Sequence, residues 1–248
     1  MTDKSTFNSI TRLAVFVIPP PMHPLAVQGS PLIGYDIWSG IVFPDEGAAW
    51  PGFSTEDVTR IRTLPRPYGV HITLGDALEY PTEALPIIGE RLETITEQLP
   101  AFTLRGASYD QHFWDSILAL HWEEGANHLH RLAVATAVHI NTLRRRHPRV
   151  TVPMTTHPSL LRDWAIETTF GYFWTIEKYY PHLTLANALN DRAERDRLWT
   201  TWQRSGYIST DMSEYNLIVD RIYLVTLPEE GDYWIIHPDY PEGFALRG

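Results

Sequence analysis

The stretch YGVHITLGDAL (Tyr68–Leu78) decides how the whole chain is read. With the period of two that strands impose, His71 and Thr73 point to one face while Val70, Ile72 and Leu74 point to the other. On its own this describes any half-buried strand. It gains meaning from a second stretch, YYPHLTLANAL (Tyr179–Leu189), which aligns with the first without gaps at an offset of 111 residues. Six of the 11 positions are identical: Tyr68/Tyr179, His71/His182, Thr73/Thr184, Leu74/Leu185, Ala77/Ala188 and Leu78/Leu189. The triplet alone would mean little. With 11 His and 35 Ser plus Thr in 248 residues, chance supplies about one and a half H-x-[ST] triplets, and three occur. The third, at His157, precedes a proline and is followed by Ser159, read as a helix cap, so it has no expected role in chemistry.

The surrounding pattern repeats too. After each motif the sequence predicts a helix and then two strands, so the chain reads as two β-α-β-β halves. After the first motif come a helix over PTEALPIIGERLETITEQL, with Thr82 as its cap and Pro86 in its first turn, then strands in AFTLRGASY and SILALHW. After the second come a polar helix in NDRAERDRLWTTWQ and strands in YNLIVDRIYLVTL and DYWIIHP. RLAVFVIPPP is a first strand stopped by prolines, and GANHLHRLAVATAVHINTLRRR a long amphipathic helix. Residues 20–65 lack a sustained period and read as an irregular excursion, with a short helix capped at Ser54 or Thr55; residues 147–178 form a second excursion. The expected fold is α+β and bilobal, with two pseudo-symmetric halves whose antiparallel sheets line a central cleft. It forms a single domain over residues 1–248, with lobes at about 66–146 and 179–238.

Composition narrows the function. With no cysteine, thiol nucleophiles, disulfides and thiolate metal sites are excluded. A formal charge of −10 argues against a general binder of long nucleic acid, which needs clustered cations at phosphates. The basic run LRRRHPR (143–149) is read as the solvated end of a helix. The polar first ten residues are expected to lack order. LAVFVI (13–18) is too short to span a membrane and lacks the flanks of a signal peptide; a cytoplasmic, membrane-free monomer is expected. HLH (128–130) lies on a helical pattern, where the two imidazoles diverge, so no metal is expected there.

If the two motif strands are neighbours, two imidazoles and two hydroxyls converge. One imidazole can accept a proton and the other donate one, while the hydroxyls hold the non-bridging oxygens of a phosphate. Two H-x-T strands about a hundred residues apart, each in a β-α-β-β half, resemble the 2H phosphoesterase superfamily, as does the ending VDRIYLVTLPEEGDYWII. That resemblance implies metal-independent hydrolysis of a 2′,3′-cyclic phosphate or a 2′–5′-type or cyclic-oligonucleotide phosphodiester, with no cofactor. It implies His71 and His182 as the acid/base pair, in either assignment, and Thr73 and Thr184 as phosphate binders. Phe16 is added by analogy. Tyr180, Lys178 and Trp174 are further candidates for contact with a small nucleotide or short oligonucleotide. Tyr68 and Tyr179, at an odd offset from the histidines, are expected to face the core. A non-hydrolytic nucleotide-binding protein on the same scaffold is the alternative, and a specialised ligase or phosphonate role stays open.

Overall fold

The computed structural model describes residues 9–46, 50–109, 115–145, 158–171 and 175–248. Of the first ten residues, expected to lack order, the first eight lie outside them, while Ile10 opens a strand and corrects the expectation there; His157 of the H-x-S triplet and most of the basic run also lie outside. The chain runs β1 (Ile10–Val17), α1 (Pro24–Ile33), β2 (Tyr35–Asp36), β3 (Ile41–Val42), α2 (Thr55–Arg62), β4 (Ile72–Pro81), α3 (Leu85–Gln98) and β5 (Phe102–Tyr109). It continues β6 (Leu118–Glu124), α4 (Ala126–His139), α5 (Pro158–Phe170), β7 (Leu183–Ala186), α6 (Arg192–Arg204), β8 (Leu217–Val219), β9 (Arg221–Leu227), β10 (Ile235–Ile236) and β11 (Phe244–Ala245). The class is α+β, with six α-helices among the described residues and antiparallel pairing throughout the main sheet. No helix among the described residues is long and apolar enough to cross a membrane.

The main sheet has the order β10-β9-β1-β4-β7-β6-β5-β8, with β11 added on β9. The two motif strands, β4 and β7, are therefore neighbours in its middle. The strands that follow them change places: β5 and β6, after the first motif, join β7, whereas β9, after the second, joins β1 beside β4. Apart from the two-residue strands β2 and β3, both stretches of chain read strand, helix, excursion helix, motif strand, helix, strand, from β1 to β5 and again from β6 to β8, with β9 following. The element order thus repeats from one strand earlier than the motif itself.

YNLIVDRIYLVTL, expected as one strand, is broken at Asp220 into β8 and β9, which pair with β5 and β1 at opposite ends of the sheet order. Val219 and Arg221 can be no more than about 7 Å apart, so the sheet curls to bring its ends together. Inside the curl lies the larger core. Leu13, Val15, Val17, Ile72, Leu74, Leu183, Leu185, Leu118, Leu120 and Trp122 pack there with residues from α1, α2, α3, α4 and α6. The alternate strand positions face the other way, where a smaller cluster gathers Ala14, Phe16, Ile18, Tyr35, Val225 and Trp234.

Residues 20–65 are more ordered than their composition predicts. His23 caps α1 by accepting the Leu25 N–H, and Pro24 occupies the first turn. Gly29 and Pro31 inside this helix hide its period in the sequence. α2 has the expected cap at Ser54, completed as a reciprocal box with Asp57. Thr82, by contrast, opens a short 3₁₀ turn; α3 starts three residues later with no side-chain cap. Ser159 lies within α5, which begins at Pro158, so it is not a cap.

These excursion helices back the motif strands. A Cβ on Gly29 would sit 2.9 Å from Val70 Cγ2 and 3.5 Å from Leu185 Cδ2, so α1 touches the chain just before His71 and just after Thr184. From α2, the Ile61 carbonyl accepts the Asn187 N–H. Arg60 pairs with Glu194 at 2.7 Å and also donates to the Ala188 carbonyl. Gly29→Val should overpack this contact and cost about 1–3 kcal/mol in urea unfolding, with Gly29→Ala costing less. A midpoint unchanged in the valine variant would contradict the close approach.

Candidate active site

Local backbone places the histidines before it places anything else. The 3₁₀ turn Arg66–Tyr68 ends at Gly69, whose φ of 67° and ψ of −169° lie in a region open essentially only to glycine. From there the chain enters β4. β7 pairs with β4 antiparallel with Ile72 opposite Leu183. Carrying that register one residue either way sets His71 opposite Thr184 and Thr73 opposite His182, about 5 Å apart at Cα. All four side chains share the face turned away from the larger core, because Ile72, Leu183 and Leu185 point into it.

Both imidazoles are oriented by the same device. His71 Nδ1 lies 2.9 Å from the Gly69 carbonyl, and His182 Nδ1 lies 2.8 Å from the Tyr180 carbonyl. A carbonyl only accepts, so each Nδ1 carries the proton, and in the neutral ring Nε2 is the basic nitrogen. His71 Nε2 then accepts from the Thr73 hydroxyl at 3.1 Å.

The two flanks differ. On the β1 side Phe16, registered opposite Thr73, stacks on the His71 ring at 4.0 Å and 26°. Tyr68 lies 5.8 Å from the same ring and parallel to Trp234 at 5.6 Å. This apolar wall has a consequence for titration. Burial, with a smaller contribution from the positive charge of a protonated His182, pushes the His71 pKa down to about 4, against the opposing pull of the Gly69 carbonyl. Just beyond, burial raises the Asp76 carboxyl, opposed by its hydrogen bond from Ala77 N–H and by Arg12. On the other flank, Tyr180 lies near-parallel to His182 with centroids 6.3 Å apart.

The expectation that Tyr68 lies on the face opposite His71 is overturned, although its ring does pack against a buried apolar cluster. The strand begins only at Ile72, and the glycine-only backbone at Gly69 breaks the alternation, so Tyr68 lies on the His71 side and packs with the smaller cluster. Tyr179 does pack against the larger core, and its hydroxyl donates to the Thr73 carbonyl at 2.7 Å, tying the two motifs. Phe16 and Tyr180 lie beside His71 and His182 respectively. Lys178 ends the 3₁₀ turn Ile176–Lys178 and pairs with Asp163 of α5 at 2.5 Å. Trp174 lies outside the described residues. His128 and His130 diverge, one stacked on Phe102 and the other edge-on to Tyr179. Among the described residues no group of three His, Cys, Asp or Glu side chains could hold a metal ion.

Fold and site together define an α+β protein that presents two imidazole–hydroxyl pairs from adjoining central strands. A family model described as "Protein of unknown function (DUF1045)" matches residues 86–234, and the chain belongs to that family. No curated protein sequence matches it. Among solved structures it is similar to Escherichia coli LigT complexed with NADP+, at 13% identity and a TM-score of 0.46, over 96% of this chain and 98% of that one. A structure described as a phosphoesterase matches at 15% identity and a TM-score of 0.45, over 96% and 99% of the two chains. Usb1 of Kluyveromyces marxianus matches at 12% identity and 0.34, over 88% and 93%.

The backbone at Gly69 gives a direct test of how His71 is placed. Gly69→Ala should destabilise the protein by about 1–3 kcal/mol in chemical denaturation, since its Cβ would also meet Ile37 Cβ at 3.1 Å. A variant as stable as the parent would contradict that backbone conformation.

Proposed function

We propose that the protein is a phosphodiesterase with the chemistry of the 2H phosphoesterases, and that its two pseudo-symmetric halves face one another across a cleft lined by β4 and β7. The substrate is a 2′,3′-cyclic phosphate or a 2′–5′-type diester of a small nucleotide or short oligonucleotide. The observation that carries this reading is the paired orientation of His71 and His182. Each is held through Nδ1 by the carbonyl two residues back, at the entry to neighbouring strands, which makes Nε2 the basic nitrogen of the neutral ring.

The difference between the flanks favours one assignment of the roles. His71, held neutral by its apolar surroundings, takes a proton from the attacking water at Nε2. The water oxygen forms its bond to phosphorus, and the bond from phosphorus to the sugar oxygen breaks. His182, entering the step protonated, gives its Nε2 proton to that departing oxygen. Thr73 and Thr184 donate to the non-bridging oxygens as negative charge builds on them. The product is a phosphomonoester, and the proton taken by His71 and the one lost by His182 are restored by exchange with solvent.

Hydrolysis of a panel of nucleoside 2′,3′-cyclic phosphates and 2′–5′ dinucleotides with EDTA present tests the reading. Wild-type turnover should persist in EDTA, and His71→Ala or His182→Ala should each lower kcat by about 10²–10⁴-fold. Activity that survives in the double variant would contradict it. Saturable binding without product would favour the non-hydrolytic alternative.

A pH profile tests the assignment separately. A base with its pKa lowered to about 4 stays neutral through the weakly acidic range, so the acid limb of kcat/KM should have its midpoint near 4. A midpoint near the ordinary value of about 6.5 would contradict His71 as the base. The same shift links to stability. Between about 6.5 and 4 the unfolded chain binds the His71 proton and the folded one does not. Stability should therefore fall as pH drops through that window, and less steeply in His71→Ala.

A further inference from the structure

Resting on the nucleotide reading above, we infer that His121, Ser108 and Tyr180 form a subsite for the sugar of the nucleotide, on the β6 side of the phosphate. His121 lies on β6 at a position facing away from the larger core, since Leu118, Leu120 and Trp122 point into that core. Its registered partner on β5 is Ser108, whose hydroxyl lies 3.0 Å from His121 Nε2. β6 pairs with β7 through Ala119 opposite Thr184 and Leu120 opposite Leu183, and the next position sets His121 opposite His182. One polar row therefore crosses four strands: Thr73, His182, His121, Ser108. Tyr180 stands over this end of it, its ring centroid 6.3 Å from His121 and 6.3 Å from His182.

The observation that points to a ligand is a half-buried imidazole–hydroxyl pair continuing the row of the motifs, with His121 Nδ1 unpaired among the described residues. A buried ring nitrogen left unpaired is costly, and proteins keep few of them without a role. On the opposite flank Phe16, Tyr68 and Trp234 pack on one another and on His71, and the Asp76 carboxyl beyond them already accepts from Ala77 N–H and faces Arg12. Among the described residues, the polar side chains that continue the row of the motifs lie toward β6 and β5. One strand spacing, about 5 Å, is the reach from a phosphorus to the hydroxyls of its own ribose. The row beyond His182 contains no Lys or Arg, which favours a neutral hydroxyl over a second phosphate. The His121–Ser108 pair takes that hydroxyl, and the face of Tyr180 borders the sugar ring.

Calorimetric titration with inorganic phosphate and with nucleoside 2′- and 3′-monophosphates separates this subsite from the phosphate site and from turnover. His121→Ala should weaken nucleoside monophosphate binding about tenfold, about 1.4 kcal/mol, and leave phosphate binding unchanged. His121→Asn should restore part of the loss, because its amide keeps a hydrogen-bonding group at that position. His182→Ala should weaken both ligands. Equal losses for both ligands in His121→Ala, or no loss for either, would overturn the subsite, as would wild-type binding of the nucleotides no tighter than of phosphate. Selective nucleotide binding in a protein that hydrolyses none of the diesters would uphold the subsite and sink the hydrolytic reading alone.

Discussion

The antiparallel contact between β4 and β7, with Ile72 facing Leu183, is the joint on which the rest of the architecture depends. A strand period of two makes that single register sort eight side chains at once. The apolar ones enter the core, and both H-x-T pairs emerge on the opposite face. A slip of one residue in either strand would bury a histidine and expose a leucine. Register here is therefore strongly specified. The Tyr179 hydroxyl bonded to the Thr73 carbonyl and the approach of Gly29 to both Val70 and Leu185 reinforce it from the core side.

The strands around this joint are woven so that neither stretch of chain completes its own part of the sheet. β5 and β6 support the second motif and β9 supports the first. Only Asp220 separates β8 from β9, which ties the two ends of the strand order together. The arrangement accounts for the excursions as well. α1 and α2 lie where they brace the exit of β7 and the entry to β4, from one continuous stretch of chain before the first motif.

Much of this was legible in the sequence, for identifiable reasons. The motif strands declare themselves through alternation, and α3, α4 and α6 through apolar spacing and charge. α1 was hidden because Gly29 and Pro31 interrupt its period, although the packing of that glycine is what the site requires. The break at Asp220 was hidden because β8 and β9 are each apolar and together resemble one long strand, while pairing partners are a tertiary property. Tyr68 was misplaced because alternation was extended through Gly69, whose backbone conformation no one-dimensional pattern reveals. His121 sat in a correctly read strand, but its relation to His182 depends on two registers that only the folded sheet displays.

The two imidazoles are alike in sequence and held alike through Nδ1, yet their surroundings are unlike, and the proposed division into base and acid rests on that inequality. Nitrogen-15 NMR of the histidine side chains, followed through pH, tests this most directly. The account predicts that at neutral pH His71 is neutral with its proton on Nδ1, and that its Nε2 takes up a proton only near pH 4. A His71 that carries its proton on Nε2, or titrates near 6.5, would contradict it.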